Sequence, residues 1–589
     1  MEPYAVACSA GGRPADVAAN AADIMACVVR ARNTGARLLV LPELCLTGAA
    51  TGDLYRSTLL IRSAEAAAED IVLAAGDMAC VLGMPLLRDG VLYNAAAVAL
   101  DGKIVAYALK DRLTSAERRW FAPGGDACCA RFALPGGEVA AALFLCDAAA
   151  LMGADADILA ILSAQPASAG AAARRRLAFA ELSSNPSRVA LYANASLHES
   201  TTDMVFDGHA LIARHGGIIA EVPPFARDAW ALCARDDAAV APPEALPEMD
   251  PVAPYMPLPG AARDGWCRET MEIAAHGLAA RMTRANCRTL TLGVSGGLDS
   301  AHAFLLSLRA LEINALPADR LIAASLPGFG SSDRTRSNAR RLIEAAGLPY
   351  REIDITSSVS LHFSDIGHSG TAHDAAYENA QARERTQVLM DLANMYNGLM
   401  VGPGDMSELA LGFTTYGGDH MSMYGVNAGF FKSLIRANLE YAARACDNGA
   451  TADVLRDILA TPVSPELLPP EKGDIAQRTE EIVGPYRLND FYLHHLLADA
   501  PGPDILLARA QAAFGGEYST EELLQRMRGL YKRFFASQFK RSCLPDGPRV
   551  LDVSLSPRGG LIMPSDASAA LWLGEIDRLI ALQERTDTV

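Results

Sequence analysis

The sequence predicts two α/β domains in tandem, the second built on a mostly parallel, doubly wound sheet, and three observations carry that prediction. The chain has 589 residues, half of them apolar and only 21% charged, whereas an ordinary domain takes roughly 100–200 residues; there is material for two cores. Strand-length runs of Val, Ile and Leu alternate with longer helical patterns throughout. Finally, Ala241–Gly260, APPEALPEMDPVAPYMPLPG, repeats a residue that lacks a backbone donor and disfavours both helix and central strand. The expected division is residues 1–240, a Pro-rich linker over 241–262, and residues 263–589.

Before the linker the expected strands include Arg37–Leu41, Met78–Leu82, Asn94–Leu100, Ile104–Leu109, Val139–Leu145, Ile158–Leu162 and Val189–Ala193. Asp101-Gly102 and Gly216-Gly217 are tight-turn signals, so part of this sheet should be antiparallel hairpins. After the linker, Leu290–Val294, Leu321–Leu326 and Gly398–Val401 alternate with helices expected to begin near Asp333 and near Asn379. Ligands of such doubly wound sheets sit at the carboxyl ends of the strands.

A net charge of −17 argues against non-specific binding to nucleic acid or an acidic membrane surface, which requires clustered Lys and Arg. The segment MEPYAVACSA has no basic stretch leading into an apolar run, and Val139–Cys146 is stopped by Asp147, so neither a signal peptide nor a membrane span is expected. Twelve cysteines without a C-x-x-C pair suggest reduced thiols in a cytoplasmic protein. The vicinal Cys128 and Cys129 read as structural, having no ligand partners at metal spacing.

The strongest chemical signal is Gly293–Ser300, GVSGGLDS, between an apolar strand and a helical pattern. Adjacent glycines admit a phosphate close to the backbone, and a helix N-terminus offers N–H groups and a positive dipole end; Ser295 and Ser300 can add hydroxyls. A plain strand-to-helix turn would not need Ser, Gly, Gly, Asp and Ser together. This loop resembles the pyrophosphate-binding loop of the ATP pyrophosphatase superfamily. It lacks the Lys-Ser/Thr ending of a kinase-type loop, which implies release of pyrophosphate and transfer of AMP.

The segments LPGFGSSDRT (326–335), ENAQARERT (378–386), GDMSELALGFTTYGGDHMSMYGVNAGFFKSLI (404–435), TEEIVGPYRLNDF (479–491) and QFKRSCLPDGP (538–548) resemble those of NAD synthetases. The resemblance implies a Rossmann-like ATP-pyrophosphatase domain. It implies an ATP site at Gly293, Val294, Ser295, Gly296, Gly297, Leu298, Asp299, Ser300 and Lys432, with Mg²⁺ on Asp299 and Glu408. It also implies a deamido-NAD site at Asn379, Glu408 and Lys540. Taken alone, any of these side chains reads equally as a solvated charge or a helix cap. Three departures from the family pattern, at Pro403, Met423-Tyr424-Gly425 and Ile482, remove donors and a charge near the expected nucleotide.

In the first half, Glu43 follows one strand, Lys110 follows another, and Cys146 ends a third. Reactive groups at strand ends can converge on one pocket, as a thiol amidase needs, although singly they read as a cap, a surface charge and a small core residue. With ERRWFAPG (117–124) and HESTTDMVFDGHALIARHGGIIAE (198–221), their spacing resembles the nitrilase-superfamily glutaminase domain fused to NAD synthetases. That resemblance implies an αββα sandwich, Glu43 as general base, Cys146 as nucleophile and Lys110 as oxyanion stabiliser. It also implies glutamine as nitrogen source and a homo-oligomer. The family's Cys-Glu-Asp reads Cys146-Asp147-Ala148 here, and its glutamine-binding Ser and Arg read Gln165 and Ala171, with Arg174–Arg176 nearby. The expected reaction is therefore ATP-dependent amidation of deamido-NAD with ammonia from glutamine. The alternative is a related ligase that acts on another carboxylate or takes free ammonia.

Overall fold

The computed structural model describes residues 3–134, 137–146, 151, 153–185, 187–227, 230–234, 242–462, 467–468 and 479–587. Two compact units, Met1–Leu246 and Pro247–Val589, divide the chain.

The first unit contains two six-stranded sheets. One has the order β12-β1-β2-β3-β4-β5, made of Trp230–Ala234, Pro3–Cys8, Leu38–Val40, Ala79–Arg88, Val91–Leu100 and Lys103–Leu109. The other runs β11-β10-β9-β8-β7-β6: Gly217–Val222, Ala210–Arg214, Val189–Ala193, Ile158–Leu162, Val139–Phe144 and Ala130–Ala133. Their facing sides form one core in which Leu38, Val40, Val81 and Val98 meet Phe144, Ile158, Leu162 and Ile212, with alanines at many positions between. The opposite face of the first sheet packs on α1 (Val17–Asn33) and α2 (Thr58–Ala75), and that of the second on α3 (Ala171–Leu182) through Phe179. The result is an αββα sandwich. Strands buried on both faces carry unbroken apolar runs rather than alternation, which is why most were legible in the sequence. The second turn signal is displaced by one residue: His215 and Gly216 take the positive φ angles, and β11 begins at Gly217.

The second unit opens with a hairpin of β13 (Met249–Asp250) and β14 (Ala253–Pro257), so the Pro-rich segment does hold a short ladder. It pairs at Met249–Pro257 and Asp250–Ala253, in a two-stranded ribbon with open edges, where proline is tolerated. A five-stranded parallel sheet follows in the order β17-β16-β15-β18-β19, made of Arg351–Glu352, Leu321–Ser325, Leu290–Gly293, Leu399–Gly402 and Tyr424–Gly425. On one face lie α4 (Ala261–Arg284), α5 (Leu298–Ile313) and α10 (Lys432–Ala445), which pack on one another. α6 (Asp333–Ala345) follows β16. The other face carries α7 (Thr356–Ile366) and α8 (Ala375–Met395), with Leu389 and Ala393 against Ala324 and Met400. α8 starts four residues before the expected position because Asp374 accepts from Ala376 N and Tyr377 N and caps it there. The short helix α9 (Met406–Leu411) follows β18. Among the described residues, no helix is long and apolar enough to cross a membrane.

Candidate active sites

In the first unit, Glu43 sits on a tight elbow after β2, where Leu44 has φ of 50°. The elbow crosses β3 at Gly83, where an added Cβ would lie 2.3 Å from Leu44 N; only glycine permits that approach. The Glu43 Oε1 accepts from Lys110 Nζ at 2.6 Å and from Asn94 Nδ2 at 2.6 Å. Lys110 also donates to Glu117 Oε1 at 2.7 Å. Glu117 is fixed reciprocally: its Oε2 accepts from Thr114 N while its own N–H donates to Thr114 Oγ1. Cys146 lies two residues past β7, packed against the inter-sheet core, and interacts electrostatically with Lys110.

Burial pushes the Glu43 carboxyl up, against the pull of Lys110, and Glu117 adds to the rise. Burial opposes the Lys110 charge, yet Glu43, Glu117 and Cys146 outweigh it and hold the ammonium firmly protonated. The structure thus joins the three expected residues and adds Glu117 and Asn94, which the sequence reading missed. Glu117 opens a three-residue turn behind a Thr-x-x-Glu pattern, a signal that reads as an ordinary helix start.

Of the three nearby arginines, Arg175 is buried against Asp207 and Tyr192, and Arg176 pairs with Glu221. Arg174 lies at the first turn of α3, within reach of Ser168 Oγ at 3.3 Å. Gln165 is pinned through its backbone by both ends of the Asn194 amide, and Ala171 is the first residue of α3. Asp147 and Ala148 lie outside the described residues.

In the second unit the Gly293–Ser300 loop connects β15 to α5. Gly296 has φ of 83°, and a Cβ there would lie 2.1 Å from the Thr335 carbonyl, so the loop rests on the first turn of α6. Ser295 and Ser300 are hydrogen bonded to each other at 3.0 Å, and Gly297 N donates to Ser295 Oγ. Seven of these eight residues, all but Gly296, line a cavity of about 270 Å³ that also reaches Glu408 and Asp419. It lies at the carboxyl ends of the strands.

Beside the cavity, Lys432 at the start of α10 places Nζ 2.7 Å from Asp299, 2.6 Å from Asp405 and 2.8 Å from Glu408. Burial raises Asp405 well above the usual carboxylate range and Glu408 to about 7. Burial opposes the Lys432 charge, but the three carboxylates outweigh it. Asp490 accepts from Ser433 N at 2.9 Å and from Ser407 Oγ, fixing the start of α10 against α9. Asp405, which the sequence reading missed, looks like a simple cap because its Oδ1 accepts from Glu408 N.

One oxygen each from Asp299, Asp405 and Glu408 lie within 4.8 Å of one another, and Asp299 Oδ1 is buried without a hydrogen-bond partner among the described residues. Hard oxygen donors so placed fit a divalent cation such as Mg²⁺.

Asn379 and Lys540 are not among the cavity-lining residues. Asn379 accepts from Thr415 Oγ1 at 2.8 Å, and Lys540 Nζ donates to the Gly412 and Thr414 carbonyls, so both hold the segment 412–420 that carries Phe413 and Asp419 into the cavity. At the departures from the family pattern, Tyr424 and Gly425 form β19, the Pro403 carbonyl accepts from Asn427, and Ile482 is 41% exposed.

The family model described as carbon-nitrogen hydrolase matches residues 5–176, and that described as NAD synthase matches residues 271–499. The chain is 32% identical to the glutamine-dependent NAD(+) synthetase of Mycobacterium leprae (strain TN), covering 97% of each chain. It is 33% identical to that of Mycobacterium tuberculosis (strain ATCC 25618 / H37Rv), covering 96% of each. In fold it is similar to the crystal structure of a glutamine-dependent NAD(+) synthetase from Cytophaga hutchinsonii, with a TM-score of 0.79, 19% identity, and coverage of 97% of this chain and 99% of that one. The corresponding values for the Acinetobacter baumannii enzyme in complex with adenosine diphosphate are 0.68, 20%, 96% and 99%. With its nitrilase-type first unit and its pyrophosphatase-type second unit, the chain belongs to the glutamine-dependent NAD(+) synthetase family.

Proposed function

We propose that the two sites divide one ligation between them, with ammonia released from glutamine at Cys146 consumed beside Asp299, Glu408 and Lys432. The chain is a carbon–nitrogen ligase that uses ATP to amidate deamido-NAD to NAD. Full-length likeness to glutamine-dependent enzymes favours that substrate pair over free ammonia or another carboxylate.

In the first unit, Glu43 takes the Cys146 proton as Sγ attacks the glutamine side-chain amide carbon. The C–N bond breaks, ammonia leaves with a proton returned from Glu43, and water then hydrolyses the thioester to glutamate. Lys110, held protonated by Glu43 and Glu117, stabilises the oxyanion in both steps. The close Glu43–Lys110 contact, with Cys146 in the same electrostatic environment, is the observation that carries this assignment.

In the second unit, the deamido-NAD carboxylate attacks the α-phosphorus of ATP and pyrophosphate leaves. Ammonia then attacks the acyl carbon, loses a proton and expels AMP. A carboxylate cannot be amidated directly because oxide would be the leaving group; AMP is a good one. Asp299 and Glu408, backed by Asp405, would hold Mg²⁺, which neutralises charge on the departing pyrophosphate when bound. Lys432, relieved of its carboxylates, serves the phosphates. Asn379 and Lys540 shape the deamido-NAD side through the segment 412–420. We place the enzyme in the cytoplasm as a homo-oligomer; light scattering on the purified protein tests the assembly.

The decisive experiment compares nitrogen sources. Cys146→Ala should lose NAD formation from glutamine and keep most of the formation from high ammonium. Equal loss from both sources in a folded variant would refute the division of labour.

A further inference from the structure

Behind the carboxylate cluster, buried polar side chains join the strand ends that carry it. Asn427 is fully buried and donates from Nδ2 to the Asp299 carbonyl at 2.9 Å and to the Pro403 carbonyl at 2.8 Å. Asp299 lies in the first turn of α5 after β15, and Pro403 follows β18 two residues before Asp405. β15 and β18 are neighbours in the sheet, and the strand order reverses between them. Asn427 therefore bridges the crevice in which ligands of this sheet class collect.

With both amide protons directed at carbonyls, Asn427 Oδ1 can only accept. It faces His302 Nδ1 at 2.8 Å. His302 lies on α5 three residues after Asp299 and is fully buried, and burial pushes its ring down to about 4. The ring is thus neutral near pH 7, with its proton on Nδ1, and Nε2 accepts from Asn438 Nδ2 at 3.0 Å. Asn438 lies on α10, six residues after Lys432, and is itself buried. The relay reaches the elements that present Asp299, Asp405, Glu408 and Lys432 without touching any of their charged groups.

We propose that His302 and Asn427 are positioning residues for pyrophosphate release: the imidazole fixes the orientation of the Asn427 amide, and the amide fixes the spacing of Asp299 from Asp405 and Glu408. The inference rests on the reading that these carboxylates hold Mg²⁺. Its consequence is that cation affinity and turnover depend on two residues that meet neither cation nor nucleotide.

The test uses the full chain with ammonium as nitrogen source and reads kcat, the KM for ATP and the Mg²⁺ concentration for half-maximal rate. His302→Leu and Asn427→Ala should each raise the Mg²⁺ requirement or lower kcat on the order of 10- to 100-fold, as loss of outer-shell orientation does elsewhere. The double variant should be no worse than the poorer single one, because the two act through one contact. His302→Asn, whose amide Nδ2 stands near the place of Nδ1, should recover most of the loss. Additive losses, a loss that tracks the thermal midpoint with Mg²⁺ dependence unchanged, or a His302→Asn variant no better than His302→Leu would overturn the proposal. Asp299→Asn serves as control: if it turns over like wild type the cation reading fails, whereas a silent His302→Leu beside an inactive Asp299→Asn sinks only the positioning role.

Discussion

Lys110 and Lys432 are both buried ammonium groups gripped by carboxylates at strand ends, yet their surroundings differ in one respect that separates their chemistry. Lys110 faces Glu43 and Glu117, so the cluster keeps one excess negative charge, and an electrostatically coupled thiol stands close by. Lys432 faces Asp299, Asp405 and Glu408, so that cluster keeps two when all are ionised. In the proposed reaction a single proton moved to and from Glu43 would balance the first site. The surplus at the second would suit the divalent cation proposed there, and burial raises the affinities of Asp405 and Glu408 for protons, which relieves the excess. On the proposed reading, one lysine is a fixed part of a proton-transfer site and the other offsets acids that would hold a cation.

The largest effect is expected at the three-acid site. Asp299→Asn or Glu408→Gln should lower NAD formation from either nitrogen source by on the order of a hundred- to a thousandfold, the usual cost of removing one electrostatic stabiliser of a transition state. Initial rates at saturating Mg²⁺ decide the matter, and near-normal turnover would mean that the cation sits elsewhere.

At the two-acid site a smaller and more selective loss is expected. Glu117→Gln leaves Lys110 ion-paired with Glu43 alone and weakens the hold that keeps the ammonium at the proposed oxyanion position. Glutamine-supported synthesis should fall about 10- to 100-fold while ammonium-supported synthesis holds. A matching fall in both rates would show that Glu117 supports the fold rather than the chemistry.

Lys432→Met sharpens the contrast from the other side. Without its internal cation the three-acid site should bind Mn²⁺ more tightly in the absence of nucleotide, on the order of tenfold if about 1.4 kcal/mol of competition is removed. Electron paramagnetic titration of free Mn²⁺ reads this directly; unchanged affinity would separate Lys432 from the metal position.

The two sites were unequally legible in the sequence. Doubly buried strands such as β8 and β9 showed as continuous apolar runs, and glycines with special demands marked the GVSGGLDS loop. β17 and β19 are two residues long and have no period to detect. Asp405 and Glu117 were hidden for a different reason: each makes a local cap bond that fully accounts for an acid at that position. Their second role exists only after the chain brings Lys432 or Lys110 to them. Asn94 is similar, an amide inside an apolar strand whose partner Glu43 is 51 residues away.

The units should also part under acid. In the second unit, burial pushes three histidines, His276, His302 and His494, down to about 4. In the first, burial lowers His209 too, but its Nε2 meets Glu221 at 2.8 Å, a partner that favours the charged ring. The sign follows from proton uptake: between about pH 6.5 and 4 the unfolded chain binds protons at these rings and the folded second unit does not. The contribution of these three rings to its stability is therefore full above pH 6.5 and falls as pH drops toward 4, by at most about 1.4 kcal/mol per pH unit for each ring, while the carboxyls of Asp405, Glu408 and Asp490, which burial raises, act in the opposite sense as the folded unit protonates them first. Hydrogen–deuterium exchange at pH 7 and pH 5 should show protection lost in α4, α5 and the helix Tyr486–Ala498, which carry the three rings, before it is lost in β8 and β9. His302→Leu should flatten part of that dependence, since it removes one of the rings that burial pushes down. Simultaneous loss in both units, or a slope untouched by that substitution, would assign the acid sensitivity to carboxylates such as Glu221, which burial opposes but His209 and Arg176 hold near 2. The stability from such a group is fully present only above its unfolded value of 4.5 and drains as pH falls toward 2, a lower window than the histidines occupy.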